Sequence, residues 1–261
     1  MCGRYVLTQD HAKSLLAQLG VRLKAGESSP LPPSRFNLPP GGPILAVRAC
    51  AATSTPLCYT LPRAAPEPPR ELAWLQWGLV PTWAYAHTRP VTNARAESLV
   101  DKPTFRRAYQ SRRCLIPASG FYEWQVVGRT RRPWLFRLRD DQPFAFAGLW
   151  ETYLSPSGQI LESCALITTA ANALMQPVHH RMPALLVEPA AWTAWLDPRS
   201  TSPDTLAPLL RPLPTDALTA TAVSPRVNQT CNDDPACLAP VTAADDNAID
   251  EDGAPQLTLG F

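Results

Sequence analysis

Four short stretches of the chain hold most of the side chains that can act as nucleophile, acid or base: MCGR at 1–4, VTNARAES at 91–98, ASGFYEW at 118–124 and PVHHRMP at 177–183. The side chains in question are Cys2, Asn93, Glu123 and His179. A cysteine with a histidine base and an orienting carboxylate or amide could form a thiol-protease set. Each residue also has a structural alternative. Cys2 could open a strand as a small apolar residue, and Glu123 could be a solvated strand residue. Asn93 could be a turn residue, and His179 could cap a helix.

Strands must position most of these residues, because 30 prolines break the chain into short elements and argue against a helical bundle. Apolar or alternating runs predict strands at eight places: 44–48, 74–80, 113–117, 121–127, 133–139, 144–154, 160–169 and 218–223. Hairpin signals lie between several of them: Gly128-Arg129, Asp140-Asp141 and Ser157-Gly158. Helical periodicity occurs at four places: Gln9 to Leu19, Lys102 to Gln110, Ala171 to Val178 and Glu188 to Asp197.

This pattern predicts an α+β fold: a single domain with a curved antiparallel sheet or open β-barrel core and a few short peripheral helices. We expect the domain to span residues 2–240, with a proline-rich surface loop at 61–70. Residues 241–261 are polar, acidic and without periodicity, which predicts a disordered acidic tail.

Cysteine usage and hydropathy restrict the class of protein. Seven cysteines lie scattered without a short-spaced pair, so neither a disulfide scaffold nor a zinc site is indicated. We expect reduced thiols, no metal and no cofactor. We expect no secretion leader, since no N-terminal segment combines a basic start, an apolar run and a small-residue cleavage site, and no apolar run approaches the roughly 20 residues that a membrane helix needs. These features predict a soluble, cytoplasmic protein without a membrane partner, and we expect a monomer.

Charge is unevenly distributed along the chain. All 24 Lys and Arg precede residue 227, whereas seven of the 22 Asp and Glu lie between Asp233 and Asp252. Residues 1–226 therefore carry a formal charge of +9 and the remainder −7. A basic body suits a polyanionic partner, and 21 of the cations are Arg, which binds phosphate in bidentate fashion. A GC-rich genome would raise the Arg content in the same way. The acidic tail could compete with a polyanion for these arginines or could only aid solubility.

Seven motifs occur in a fixed order along residues 2 to about 240: MCGR, RFNLPP at 35–40, WGLVPTWA at 77–84, NARAES at 93–98, RRCLIPASGFYEW at 112–124, ALITTAAN at 165–172 and HHRMPALL at 179–186. In this order they resemble the SOS-response-associated peptidase (SRAP) family of abasic-site processing proteins. The resemblance implies that Met1 is removed and that Cys2 captures the aldehyde of an abasic site in single-stranded DNA. The implied product is a thiazolidine DNA-protein crosslink, accompanied by weak lyase activity. The protein would then associate with the nucleoid when bound to DNA.

The same resemblance implies roles for other positions. Glu123 would be a general acid and base, His179 would assist sugar opening and β-elimination, and Asn93 would hold the α-amine and the sugar in register. DNA contacts are implied for phosphate-binding arginines, for an apolar wedge and for two further polar residues: Arg4, Arg95 and Arg181; Trp83 and Pro40; Asn37 and Thr168. The arginines could instead be solvated surface residues, and Trp83 could lie in the core.

The chain departs from the family pattern after the histidine. The family often has an acidic residue there, as in HDR, where this chain has His180. A local carboxylate contact to Arg181 is therefore expected to be missing, and the choice of His179 over His180 rests on spacing to Arg181. Two other functions remain open from the residues. The chain could be an N-terminal-nucleophile cysteine peptidase that cleaves Met1 itself, or a noncatalytic single-strand DNA-binding module.

Overall fold

The computed structural model describes residues 2–21, 31–50, 69–85 and 88–241. The predicted acidic tail, from residue 242, and the predicted proline-rich loop, up to residue 68, lie outside the described residues. The described strands are β1 (Arg4–Leu7), β2 (Arg35–Leu38), β3 (Pro43–Ala49), β4 (Arg70–Trp77), β5 (Asn93–Arg95), β6 (Arg113–Ala118), β7 (Gly120–Val127), β8 (Thr130–Leu138), β9 (Phe144–Leu154), β10 (Ile160–Ala170), β11 (Arg181–Pro183), β12 (Leu185–Leu186) and β13 (Leu218–Ala222). The described α-helices are α1 (Gln9–Gln18), α2 (Pro103–Ser111), α3 (Pro189–Leu196) and α4 (Pro203–Leu206).

Five strands form a closed barrel. The order β4-β3-β6-β9-β10 is antiparallel at each step, and β10 then pairs with β4 in parallel, with Cys164 opposite Trp77. The α+β fold with a barrel core is confirmed, and the barrel that the sequence left open is closed by this parallel pair. Gly148 permits the close approach of β9 to β6, since a Cβ there would lie 2.5 Å from Ile116 Cδ1. A curved wall of strands therefore encloses the main core.

A second, antiparallel sheet packs against the barrel in the order β13-β8-β7-β1-β2. Its inward aromatic side chains meet those of the barrel: Tyr5 on β1 lies 5.5 Å, centroid to centroid, from Phe146 on β9, and Phe121 on β7 lies 6.2 Å from the same ring. These residues belong to one continuous hydrophobic cluster, so the N-terminal strand is held in place by core packing. This anchoring is what positions the start of the chain.

The predicted helices form at three of the four places. Helices α1, α2 and α3 fall where periodicity places them, but residues 171–178 form irregular turns, so that prediction is wrong. Pro177 explains the failure, because it has no N–H with which to continue a helix. The described part of the chain contains no helix that is long and apolar enough to cross a membrane.

Two of the three hairpin signals are confirmed. Gly128 joins the paired strands β7 and β8 with a φ of +59°, and Gly158 joins β9 and β10 with a φ of +82°. Asp140-Asp141 also makes a tight turn, but it connects β8 to β9, which lie in different sheets, so it is not a hairpin. The expectation of reduced thiols is wrong at Cys50, which is disulfide-bonded, whereas five other cysteines are free.

Candidate active site

The N-terminal residues are fixed beside strand β7. Arg4 is the Cα partner of Tyr122, so Glu123, the next residue on β7, lies level with the start of the chain. Strand β5 approaches from the barrel, where it runs parallel to β10, and its first residue is Asn93. The Asn93 side-chain amide donates a hydrogen bond of 3.0 Å to the carbonyl of Cys2. Core packing and this hydrogen bond together hold Cys2 at the junction of both sheets.

Cys2 and Glu123 lie in a dry environment. Cys2 is completely buried and its thiol donates to the carbonyl of Arg4 at 3.7 Å. Burial raises the pKa of this thiol, and the nearby Glu123 carboxylate raises it further. Glu123 is only 3% exposed, which excludes a solvated strand residue. Burial also raises the pKa of Glu123, while the positive charge of the α-amino group opposes this rise. Both side chains therefore favour their neutral, protonated forms.

His179 and His180 follow the irregular turns at 173–178 and are stacked, with 4.5 Å between their ring centroids. His179 Nδ1 lies 3.0 Å from the backbone N of Arg181 and 3.1 Å from its carbonyl oxygen, so it accepts from the amide in one neutral tautomer and donates to the carbonyl in the other. Burial, followed by the α-amino charge, lowers the pKa of His179. His180 is exposed, and the charge of His179 is the largest cause that lowers its pKa. The tautomer in which Nδ1 carries the proton donates to the Arg181 carbonyl and leaves Nε2 unprotonated, as a base requires.

Arg181 has a carboxylate partner, but it is not the local one that the family often has. Its guanidinium donates to both carboxylate oxygens of Glu97, at 2.7 and 2.9 Å, and to the carbonyl of Thr168 at 2.6 Å. Glu97 belongs to the NARAES stretch, which is distant from Arg181 in sequence. Its carboxylate takes the place of the acidic residue that the family often has at the position of His180. Thr168 itself is fully buried and donates through Oγ1 to the carbonyl of Ala94 at 3.3 Å.

Arg4 and Asn37 form a separate internal cluster. The Arg4 guanidinium donates to Asn37 Oδ1 and to the carbonyl of Val227, both at 2.8 Å. The Asn37 amide group donates to three carbonyls of the C-terminal segment, and the side chain is completely buried. Both residues therefore hold residues 227–232 against β1 and β2. Their predicted contacts with DNA stay predictions.

An open groove of about 450 Å³ lies next to the histidines. It is lined by Arg95, Glu97, Ser98, Lys102, His180 and Arg181. Arg95 is exposed, so it is available to an anionic ligand in the groove. Among the described residues no group of three or more His, Cys, Asp or Glu is placed to hold a metal ion. The arrangement thus combines a buried thiol and carboxyl with an open, basic groove.

The two residues of the implied apolar wedge lie outside this cluster. Trp83 is 50% exposed, so the alternative of a core tryptophan is wrong, and Pro40 is half-buried in the turn before β3. Within the described part of the chain, no hydrogen bond or ring contact links either residue to Cys2, Asn93, Glu123 or His179.

Comparison with known proteins shows the family to which this chain belongs. The family model for SOS response associated peptidase (SRAP) matches residues 1–230. The chain belongs to the SRAP family. It is 35% identical over 240 residues to the abasic site processing protein YoqW of Bacillus subtilis, covering 90% of this chain and 97% of YoqW. It is 30% identical over 224 residues to the abasic site processing protein HMCES of Pongo abelii, covering 73% of this chain and 62% of that protein.

A solved structure of a Bacteroides thetaiotaomicron protein supports the SRAP fold. The two chains superpose with a TM-score of 0.76 at 23% sequence identity, covering 92% of this chain and 100% of the other. This likeness concerns the barrel and its flanking sheet, and it adds nothing about chemistry.

Sequence reasoning missed two contributors to this SRAP site. Glu97 was overlooked as the partner of Arg181. The available sequence signal was that Glu97 is the only acidic residue in NARAES and lies two positions after Arg95, a predicted DNA contact. Trp124 was also overlooked: its Nε1 donates to Asn228 Oδ1 at 2.7 Å, and the Arg4 guanidinium lies 5.7 Å from its ring centroid. No sequence pattern predicts that contact, because its partners are more than 100 residues apart.

Proposed function

We propose that this chain captures abasic sites in single-stranded DNA covalently, through the α-amine and thiol of Cys2, after Met1 has been removed. The observation that carries the proposal is the convergence of three side chains at the start of the chain. Cys2 is completely buried, its carbonyl accepts a hydrogen bond of 3.0 Å from Asn93, and the buried Glu123 lies level with it on β7. The relatives YoqW and HMCES are both abasic site processing proteins, which supports the same substrate.

The first step uses the α-amine. An α-amino group has an ordinary pKa of about 7.7–8.0, against about 10.4 for lysine, so a useful fraction is neutral near pH 7. Its lone pair adds to the ring-opened aldehyde of the abasic sugar and forms a C–N bond. Protonated Glu123 donates its proton to the hydroxyl of this adduct, which leaves as water and gives an imine. The raised pKa of Glu123 suits this acid role.

The second step uses the thiol on the adjacent carbon. Sulfur adds to the imine carbon, the thiol proton passes to nitrogen, and a five-membered thiazolidine ring closes. Proximity makes this step intramolecular, so it does not require a free thiolate in solution. Asn93 supports the geometry, since its amide holds the Cys2 carbonyl and its buried Oδ1 accepts no hydrogen bond within the described residues. That oxygen is a suitable acceptor for the freed α-amine.

A weak lyase reaction branches from the imine. Unprotonated Nε2 of neutral His179 removes the proton next to the imine carbon, and the electron pair expels the 3′ phosphate in a β-elimination. The lowered pKa of His179 keeps the ring in the base form. Arg95 and Arg181, which line the groove, would contact the phosphates that flank the lesion. Trp83 and Pro40, which lie outside the groove, would contact neighbouring bases.

The cysteine peptidase alternative is less well supported. A peptidase nucleophile needs a thiolate, which a neighbouring cation stabilises. The Cys2 thiol instead has a raised pKa next to a carboxyl group, and its hydrogen bond to the Arg4 carbonyl is that of a protonated thiol.

Intact-protein mass spectrometry tests the proposal. The purified protein is mixed with a single-stranded oligonucleotide that contains one abasic site, and with the same oligonucleotide without the lesion. We expect a product whose mass equals that of the protein without Met1 plus the damaged DNA minus one water. Absence of this product, with or without cleavage of the strand, would contradict covalent capture and favour a binding module or a peptidase.

A further inference from the structure

The hairpin formed by β7 and β8 extends beyond both strands that flank it. Strand β1 pairs with β7 only over Gly120–Tyr122, and β13 pairs with β8 only over Trp134–Leu138. Residues 125–132, which we call the basic ribbon, continue as two paired strands with no further strand beside them among the described residues. An isolated two-stranded ribbon is marginally stable in water, so this extension gains little for the fold alone.

The basic ribbon has an unusual charge and surface. It contains Arg129, Arg131 and Arg132, and the sequence has no acidic residue between Glu123 and Asp140. Arg129 and Arg131 are exposed, and their side chains make no ion pair or hydrogen bond within the described part of the chain. Arg199, by contrast, is an exposed arginine whose charge Asp197 neutralises.

Two exposed valines complete this surface. Val126 is 68% exposed and lies opposite Arg131, and Val127 is 46% exposed beside the turn. Apolar side chains interleaved with unpaired cations can contact the sugars and bases of a strand whose phosphates the cations hold. A polyanion with apolar faces, rather than an acidic protein surface, therefore complements the ribbon best.

The basic ribbon is also rigidly connected to the candidate active site. Glu123 lies on β7 just before it, and five residues at about 3.3 Å each place Gly128 roughly 16 Å from Glu123. Gln125 fixes the base of the ribbon: its Oε1 accepts from Trp134 Nε1, and its Nε2 donates to the Pro177 carbonyl, both at 3.2 Å. Pro177 precedes the histidines, so the ribbon and the site are held in one orientation.

We propose that the basic ribbon binds the phosphate backbone of the damaged strand about five nucleotides from the lesion. The estimate follows from the 16 Å reach and a rise of about 3.4 Å per nucleotide along one strand. Arg129 and Arg131 hold phosphates, and Val126 and Val127 lie against the sugars and bases between them. The distance from the lesion rests on the proposed function, whereas binding of the ribbon to undamaged strands does not.

The first experiment measures binding of undamaged single-stranded DNA across a salt series. The variant Arg129→Ala/Arg131→Ala is compared with Arg107→Ala/Arg199→Ala, which removes the same formal charge from exposed positions on α2 and after α3. We expect the ribbon variant to bind about tenfold more weakly at low salt and to lower the salt slope by about 1.4, since each phosphate contact contributes about 0.7. The control variant keeps the wild-type slope. Equal slopes for both variants would overturn the proposal.

The second experiment measures covalent capture on lesions with short or long flanks, of roughly two or ten nucleotides on each side. We expect the ribbon variant to capture the long-flank strand several-fold more slowly than wild type and the short-flank strand at the wild-type rate. Arg129→Lys/Arg131→Lys should restore most of the long-flank rate, because it keeps the charge. Equal slowing on both substrates would mean that the ribbon supports the fold rather than the strand. If the wild type captures neither substrate, the proposed function fails. The binding experiment alone then tests whether the ribbon binds single-stranded DNA.

Discussion

The two halves of the candidate site differ in exposure, but burial acts in the same sense in both, by favouring the neutral form of a titratable group. In the dry half, burial raises the pKa values of Cys2 and Glu123. In the wet half, which opens to the groove, burial lowers the pKa of His179, and the charge of His179 is the largest cause that lowers the pKa of His180. A neutral carboxyl group can donate a proton, and a neutral imidazole can accept one. The dry half is therefore suited to donating protons and the wet half to accepting them.

Removing the nucleophile from the dry half has the largest expected effect. Cys2→Ala should abolish the heat-stable adduct, because the α-amine can still form a reversible imine but no thiazolidine or other sulfur-linked product can form. Binding of undamaged single strands should remain within about twofold of wild type, since the cationic groove is unchanged. Denaturing electrophoresis after heating measures the adduct. A heat-stable adduct from this variant would remove Cys2 from the mechanism.

Replacing the carboxyl group of Glu123, which exchanges protons in the dry half, should have the next largest effect. Glu123→Gln keeps the shape of the side chain but cannot exchange a proton, so we expect adduct formation to slow by roughly a hundredfold. Reversal of the adduct should slow as well, because the same group returns the proton. Single-turnover rates in both directions check this. Wild-type rates in both directions would assign Glu123 to the fold.

The wet half should control strand cleavage more than capture. His179→Ala should reduce cleavage at the lesion by at least about tenfold and slow capture less, because β-elimination needs the base and ring closure does not. His180→Ala should have the smaller effect on cleavage, since that ring is exposed and lacks the Nδ1 contacts to Arg181. The reverse ranking of the two variants would move the base to His180.

The smallest effect concerns stability and its dependence on pH. The pKa of Glu123 is higher in the folded protein than its ordinary value, so its contribution to folding is complete below about pH 4 and is lost as pH rises through the folded value. Glu123→Gln should therefore raise the Tm near pH 8 by about 2–4 °C and leave it unchanged near pH 4. Thermal unfolding at both pH values measures this. A Tm increase at low pH only would contradict burial as the cause.

Much of the barrel could be predicted from the sequence because its strands are long and almost continuously apolar. Strand β6 is buried at all six positions, and β9 has six buried residues in succession. Strands of two to four residues, such as β1, β5 and β12, are too short for periodicity to identify. Two of these, β1 and β5, position Cys2 and Asn93, so the elements that build the site were the least predictable ones.

The candidate site was predictable as a set of residue types but not as a network of contacts. Motif resemblance predicted functional roles for Glu123 and Arg181, whereas their surroundings depend on tertiary packing. The Glu97 carboxylate that replaces the missing local acid reaches Arg181 from 84 residues away, and burial of Glu123 depends on how β1 docks onto β7. Both require long-range pairing that local sequence does not encode.

Peptide mapping of the adduct tests the central claim most directly. After capture, the DNA is digested to the attached sugar, and the protein is cleaved and sequenced by tandem mass spectrometry. We predict that the sugar is attached to the peptide that begins at Cys2, without Met1 and with the loss of one water, and that borohydride does not reduce it, as expected for a closed thiazolidine. Attachment to any other residue, retention of Met1 on the adduct, or reduction of an imine by borohydride would contradict this account.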